Sequence, residues 1–193
     1  MTEPARATAA APGSIGNCAV GFDVLGQALI GPRDVVHALR TGSGQVRITA
    51  IRGTDAALPL AAAENTAGRA VQALCEFAGE APGFDLEVDK GIPLASGMGG
   101  SAASAVAAVV AANALLTTPQ PLDVLYRAAR EGEAVASGAA HGDNVGPSLC
   151  GGLVIAPREG APVRVPVPGW LHVALVHPRL ELATRRARAV LEA

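Results

Sequence analysis

Apolar and polar positions along the chain first alternate, then cluster in threes and fours, then merge into one nearly unbroken apolar run. Phe84, Leu86 and Val88 alternate strictly with Asp85, Glu87 and Asp89, the period of a strand with one face in a core. Val46, Ile48 and Ala50 alternate in the same way with Arg47 and Thr49, so a strand is predicted over residues 45–52. Short strands are predicted over 5–10 and 24–30, around the loop APGSIGNCAVGFD, and a better strand candidate over 34–41. TGSG, between 34–41 and 45–52, reads as a hairpin turn. Helical spacing begins at residue 65, where Ala67, Ala70, Val71, Leu74, Cys75 and Ala78 share one face and Gly79 is a natural stop. A second helix is predicted from Gly100 or Ser101 to Leu116, ended by TTPQP. A third spans about 122–137, with Leu122, Leu125, Tyr126, Ala129, Gly132, Val135 and Ala136 as its inward stripe.

A polar turn, HGDN, follows the third helix, and then a strand over 152–156. Residues 157–168 are rich in proline and glycine, with VRVPV extended within them, and a strand over 170–177 and a helix over 183–191 complete the chain. Hairpin strands with packed helices argue an α+β fold rather than an all-parallel sheet. The expected division is a first domain of residues 1–160 and the beginning of a second over 161–193.

Composition narrows the chemistry. Half of the 193 residues are hydrophobic, yet only one Trp, one Tyr and three Phe are present, so Ala, Val and Leu must fill the core at close packing. A net charge of -2 offers no broad basic footprint for nucleic acid. Lys90 is the only lysine and lies outside any glycine loop, which excludes a Walker-type phosphate loop with its Gly-Lys-Ser/Thr. The apolar run from Ala102 to Leu116, broken by Ser104 and Asn113, is too short for a bilayer span and reads as a buried helix. Cys18, Cys75 and Cys150 lack metal-ligand spacing, and the N-terminus lacks the apolar core of a secretion signal; a reducing cytoplasm is the expected compartment.

The richest stretch is IPLASGMGGSAAS, from Ile92 to Ser104. Its glycines let backbone N–H groups converge, and the helix that follows adds unpaired amides and the positive end of its dipole, a fit for phosphate. Ser96 and Ser101 add hydroxyls that can donate to phosphate or ligate a metal. A tight strand-to-helix turn explains the same composition equally well. Glu133 is the second clue, because it falls on the inward stripe of the third helix, where a carboxylate needs a partner. Mg²⁺ beside a phosphate loop would serve, as would a buried arginine. Asp143 and Asn144 in HGDN, and Asn17 and Asp23 in GNCAVGFDVLG, are polar groups that either line a pocket or close local turns. His141 by itself reads as a turn residue. Arg185, Arg186 and Arg188 lie on the last predicted helix, as a solvated face or as a carboxylate clamp.

Taken in order, PLASGMGGSAAS, NCAVGFDVLG, HGDNVGPSLCGG and ELATRRARAVL resemble the GHMP kinase superfamily and, within it, the homoserine kinases. The resemblance implies the ribosomal-protein-like fold of the GHMP N-terminal domain, followed by the first strand and helix of an incomplete ferredoxin-like C-terminal domain. It implies ATP and Mg²⁺ as cofactors. Pro93, Leu94, Ala95, Ser96, Gly97, Met98, Gly99, Gly100, Ser101, Ala102 and Ala103 would run along the phosphates, Asn65 would face the adenine, and Ser101 and Glu133 would hold the metal. Asn17, Asp23, Asp143, Asn144, Thr184 and Arg188 would bind L-homoserine, with Asn144, Asp143, Ser101 and Glu133 in the catalytic group and Arg188 on the carboxylate.

The implied reaction is phosphorylation of the homoserine side-chain hydroxyl, in the cytoplasm, on the route to threonine, with neither nucleic acid nor membrane as partner. Two departures stand out in the loop: Gly100 where the family usually has a serine, and Met98 where it usually has leucine. The family's further glycine-rich loop and second substrate arginine have no counterpart here, so low activity of this length of chain and self-association as a homodimer are expected. The competing readings are another GHMP small-molecule kinase and a non-catalytic nucleotide-binding fragment.

Overall fold

The computed structural model describes residues 5–18 and 21–176. The predicted helix over 183–191, with Thr184 and Arg188, lies outside the described residues. The fold is α+β: a mixed sheet carries helices on one face. Its strands are β1 (Arg6–Ile15), β2 (Leu25–Arg40), β3 (Val46–Arg52), β4 (Phe84–Asp89), β5 (Leu153–Ile155) and β6 (Val163–Val165). The helices are α1 (Thr66–Ala78), α2 (Gly100–Asn113), α3 (Leu122–Ser137) and the short α4 (Val145–Cys150). The strand order is β3-β4-β2-β5-β6, with β1 pairing β2.

The sheet corrects several expectations. Residues 24–30 and 34–41 are not two strands but the single 16-residue β2, and β1 runs on to Ile15 through residues predicted as loop. Their antiparallel register jumps from Pro12↔Arg33 to Ser14↔Ala28, so extra residues of β2 bulge out while the pairing continues. TGSG does not close a hairpin. β4 lies between β2 and β3, antiparallel to the first and parallel to the second. The parallel β3–β4 pair needs a crossover, and α1 supplies it. β4 pairs on both edges in this interior position and buries Phe84, Leu86 and Val88 on its helix-facing side. Residues 163–165, expected in a connector, form β6 on the edge of β5. The strand expected over 170–177 does not form as far as Val176, where Trp170, Val173 and Val176 are exposed without a pairing strand among the described residues.

The helices follow their patterns more closely. Gly79 ends α1 in the left-handed conformation at φ 65°. α2 is buried on nearly all sides, between the sheet and the helices α1 and α3, and its alanines let these layers approach closely. The stripe of α3 is narrower than predicted: Tyr126, Ala128, Ala129, Gly132 and Glu133 are buried, whereas Leu122, Val135 and Ala136 are exposed. Val135 and Ala136 border open clefts instead of another element. α4 was not expected. It holds Pro147 at its third residue, inside the first turn, where no backbone N–H is needed. Among the described residues no helix is long and apolar enough to cross a membrane.

The tightest helix crossing lies at Gly132. A Cβ there would stand 2.3 Å from the Thr66 carbonyl oxygen and 2.7 Å from the Ala70 Cβ. Gly132→Ala is therefore expected to destabilise the fold by about 1–3 kcal/mol, measured by urea unfolding, even though alanine favours helix. An unchanged midpoint would show that α1 and α3 are free to separate.

Candidate functional site

Two buried charges fasten both ends of the glycine-rich loop. Asp34 is fully buried on β2, and its Oδ1 accepts from the Gly91 N–H at 3.0 Å and the Ile92 N–H at 3.1 Å, where the loop leaves β4. Its Oδ2 pairs with the Lys90 ammonium and accepts from the Ser104 hydroxyl at 2.6 Å. Lys90 in turn donates to the Gly100 carbonyl at 2.9 Å, where the loop enters α2. The one lysine is thus a structural cation. Between these anchors, Ala95, Gly97 and Gly99 take positive φ values of 53°, 72° and 62°. Gly99 precedes α2 with no side-chain cap among the described residues, so the first amides of this 14-residue helix, next to the loop, are unclaimed by a capping side chain there.

A Cβ on Gly99 would fall 2.5 Å from the Ser14 hydroxyl and 2.7 Å from Asn144 Oδ1. Glycine here admits both side chains to the loop backbone. Gly100 is also crowded, since a Cβ would lie 3.2 Å from Ile92 Cγ2 and 3.6 Å from Lys90 Nζ.

The loop forms one wall of a cleft of about 270 Å³, lined by residues 93–101 together with Asn17, Glu133, Ala136, Ser137, His141, Asp143 and Asn144. Ala102 and Ala103 are buried behind it in the first turn of α2. Met98 is also buried, and its carbonyl accepts from the Ser14 N–H at 3.0 Å, tying the loop to β1. Ser96 Oγ accepts from the Met98 N–H at 3.3 Å and so closes a local turn.

Glu133 is 8% exposed, and its Oε2 has no hydrogen-bond partner among the described residues. Burial pushes its carboxyl up to about 7, against a hydrogen bond from Ser101 that lowers it; Asp143 raises it further and Lys90 opposes. Among the described residues no three His, Cys, Asp or Glu side chains converge to hold a metal. An ion that takes most of its ligands from phosphate and water suits the place, as Mg²⁺ does with one carboxylate and one hydroxyl.

Asp143, which lines the same cleft, is buried and its Oδ2 accepts from the Asn17 N–H at 2.9 Å. Its carboxyl is also pushed up, first by burial, with the Asn17 N–H opposing. Asn17 Oδ1 accepts from the Asp23 N–H at 2.9 Å, and both residues hold positive φ, 55° and 59°. Asn144 Oδ1 accepts from Ser14 Oγ at 3.0 Å. His141, read above as a turn residue, lies in the cleft with Nδ1 3.4 Å from Asp23 Oδ1. Nothing in a lone histidine signalled this, and Ser14, Asp34 and Lys90 were equally unmarked because their partners are remote in sequence.

Asn65 caps α1: its side chain accepts from the Ala67 and Gly68 N–H groups and donates to the Pro59 carbonyl at 2.8 Å. It also borders a second, mostly apolar cleft of about 320 Å³, whose walls include Ile51, Leu58, Val88 and Val135. Leu94, Ser101 and Ala136 line both clefts, which are therefore neighbours. Thr184 and Arg188 lie outside the described residues.

A family profile described as "GHMP kinases N terminal domain" matches residues 65–152. The chain is 56% identical over 186 residues to a homoserine kinase of Xanthomonas campestris, covering 96% of this chain and 58% of that protein. It is 53% identical over 194 residues to a homoserine kinase of Xylella fastidiosa, covering 100% of this chain and 60% of that protein. Among solved structures, a homoserine kinase from Cytophaga hutchinsonii superposes with a TM-score of 0.85 at 37% identity, over 98% of this chain and 61% of the other. A mevalonate diphosphate decarboxylase from Legionella pneumophila, at 17% identity and a TM-score of 0.66, shares the fold. The chain thus spans about three-fifths of the length of these homoserine kinases. The uncapped start of α2 under a glycine loop, and the matches along the chain, agree: it belongs to the GHMP kinase family, by an N-terminal domain like that of the homoserine kinases.

Proposed function

We propose that the protein containing this chain transfers the γ-phosphoryl group of ATP to the side-chain hydroxyl of L-homoserine. The observation that carries the reading is the buried Glu133, whose Oε2 has no hydrogen-bond partner among the described residues, beside Ser101 at the start of α2 in the cleft that Asn17, Asp143 and Asn144 also line. In this reading the amides at the head of α2 and of residues 93–100 bind the phosphates, and the apolar cleft beside Asn65 receives the adenine. Ser101 and Glu133 hold Mg²⁺, which supplies charge neutralisation at the transferring phosphates. Glu133 fits that task because its carboxylate is already desolvated and one oxygen awaits a cation.

Asp143 and Asn144 orient the hydroxyl. Asp143 is held by the Asn17 N–H and Asn144 by Ser14, so neither has to reorganise when substrate enters. Asp23 and His141 supply polar contacts for the ammonium end, and Thr184 and Arg188 complete the site at the substrate carboxylate. The hydroxyl oxygen forms the new P–O bond as the bond to ADP breaks. The loose transition state does not require the proton to leave first, so no side chain is assigned as base. We also infer that the chain beyond β6 leads into a second domain of ferredoxin-like fold, and that the enzyme works in the cytoplasm.

The test is ADP release by the protein with Mg-ATP and homoserine, serine, threonine or mevalonate. Homoserine is expected to be the preferred acceptor by at least about tenfold in kcat/KM. Preference for mevalonate, or nucleotide binding without any acceptor, would replace this reading.

A further inference from the structure

The loop that carries His141, Asp143 and Asn144 has little regular structure of its own, yet it presents its side chains to the cleft in a defined array. Its support comes from α3, one turn before Glu133. Arg130 Nε donates to the Ala140 carbonyl at 2.7 Å, and Nη1 of the same guanidinium donates to the Arg158 carbonyl at 2.5 Å. Four residues earlier, Tyr126 Oη donates to the neighbouring Pro157 carbonyl at 2.9 Å. The Tyr126 ring also lies 5.3 Å beneath the guanidinium, and Gly142 packs on the Tyr126 hydroxyl so closely that a Cβ would come within 1.8 Å. Two loops, one before α4 and one after β5, are thereby stapled to one face of α3.

Among the described residues Arg130 makes no ion pair with a carboxylate. Its hydrogen bonds from Nε and Nη1 both go to main-chain carbonyls, one in each of the two loops. The planar fork of arginine can reach two divergent carbonyls; a lysine ammonium offers one point of attachment on a freer stem. The fastened carbonyl belongs to the residue just before His141, and the packed glycine to the residue just after it.

We propose that Arg130, with Tyr126, is a positioning residue: it fixes the Ala140–Gly142 backbone so that His141, Asp143 and Asn144 meet the acceptor substrate. This inference rests on the reading of the cleft as a homoserine site, but its geometric part does not.

The test compares Arg130→Ala, Arg130→Lys and Tyr126→Phe in the whole protein. Arg130→Ala is expected to raise KM for homoserine by about tenfold or more, as loss of charge-assisted hydrogen bonds implies, with KM for Mg-ATP changed less than about twofold. Added guanidinium ion should restore part of the loss in Arg130→Ala and nothing in Arg130→Lys. Tyr126→Phe should shift the same parameter in the same direction, more weakly, while keeping the buried ring. Unchanged homoserine kinetics, or an equal loss toward both substrates, overturns the proposal.

A second arm needs no activity. The His141 imidazole resonances should move in Arg130→Ala, while those of His37, on the opposite face of the sheet, stay in place. If the wild-type protein fails to phosphorylate homoserine, the kinase reading falls while this arm still decides. A moved His141 signal then upholds the staple, and an unmoved one sinks it.

Discussion

Glu133→Gln is expected to make the protein more stable at pH 8 and, on the proposed metal role of Glu133, to weaken the binding of Mg-ATP. The folded carboxyl is raised to about 7 from an ordinary value of 4.5, chiefly by burial. The folded state therefore keeps its proton more tightly than the unfolded chain does. Its stabilising contribution is fully present below about pH 4.5 and is lost as pH rises through about 7. The shift corresponds to a penalty on the order of 3 kcal/mol above neutrality. An isosteric neutral amide escapes part of that penalty, so a gain of about 1–2 kcal/mol is expected at pH 8, fading to nothing toward about pH 4, where the carboxyl is protonated in the folded and the unfolded chain alike. Urea unfolding at the two pH values measures it, and calorimetric titration with Mg-ATP measures the loss of binding. A mutant as pH-dependent as the wild type would show that Glu133 is not the desolvated group. A mutant that binds Mg-ATP normally would remove the metal assignment.

Lys90→Met is expected to cost about 3–5 kcal/mol, because it strands the Asp34 carboxylate where side-chain exposure is 0%. The melting temperature should fall on the order of 10 °C for a chain of this length. The double mutant Asp34→Asn/Lys90→Met should recover most of the loss, since asparagine is neutral and its Oδ1 can still accept from the Gly91 and Ile92 N–H groups. Thermal unfolding of the wild type, the single and the double mutant decides. A single mutant as stable as the wild type would show that the pair does not hold the loop, and a double mutant less stable than the single would show that its charge is needed for more than neutralising its partner.

The two predictions concern residues that differ in how visible they are beforehand. Glu133 could be singled out from its spacing alone, since it recurs with Tyr126 and Ala129 on the inward side of α3. Asp34 and Lys90 could not: each stands beside an opposite charge in sequence, Asp34 within β2 and Lys90 just after β4, and their pairing across 56 residues exists only once β4 lies against β2. His141 belongs to the same class. Its partner Asp23 comes from the other end of the chain, and a histidine in a turn carries no mark of what faces it. Asn65 shows the reverse: its place at the start of α1 was evident, yet its side chain is engaged in capping that helix, a role its local sequence already favoured.

Periodicity and loop chemistry, read from the amino acids alone, were enough for the α+β class, the faces of α1 and β4, and a glycine loop opening a buried helix. Each is written within a few consecutive residues, where sterics and hydrogen bonding act locally. The insertion of β4 between β2 and β3, the continuity of β2 through its bulge, the existence of α4, and the attachment of the His141 loop to Arg130 were decided by the assembled structure. These depend on which surfaces pack together and which buried carbonyls and charges must find partners, and such partners can lie anywhere along the chain.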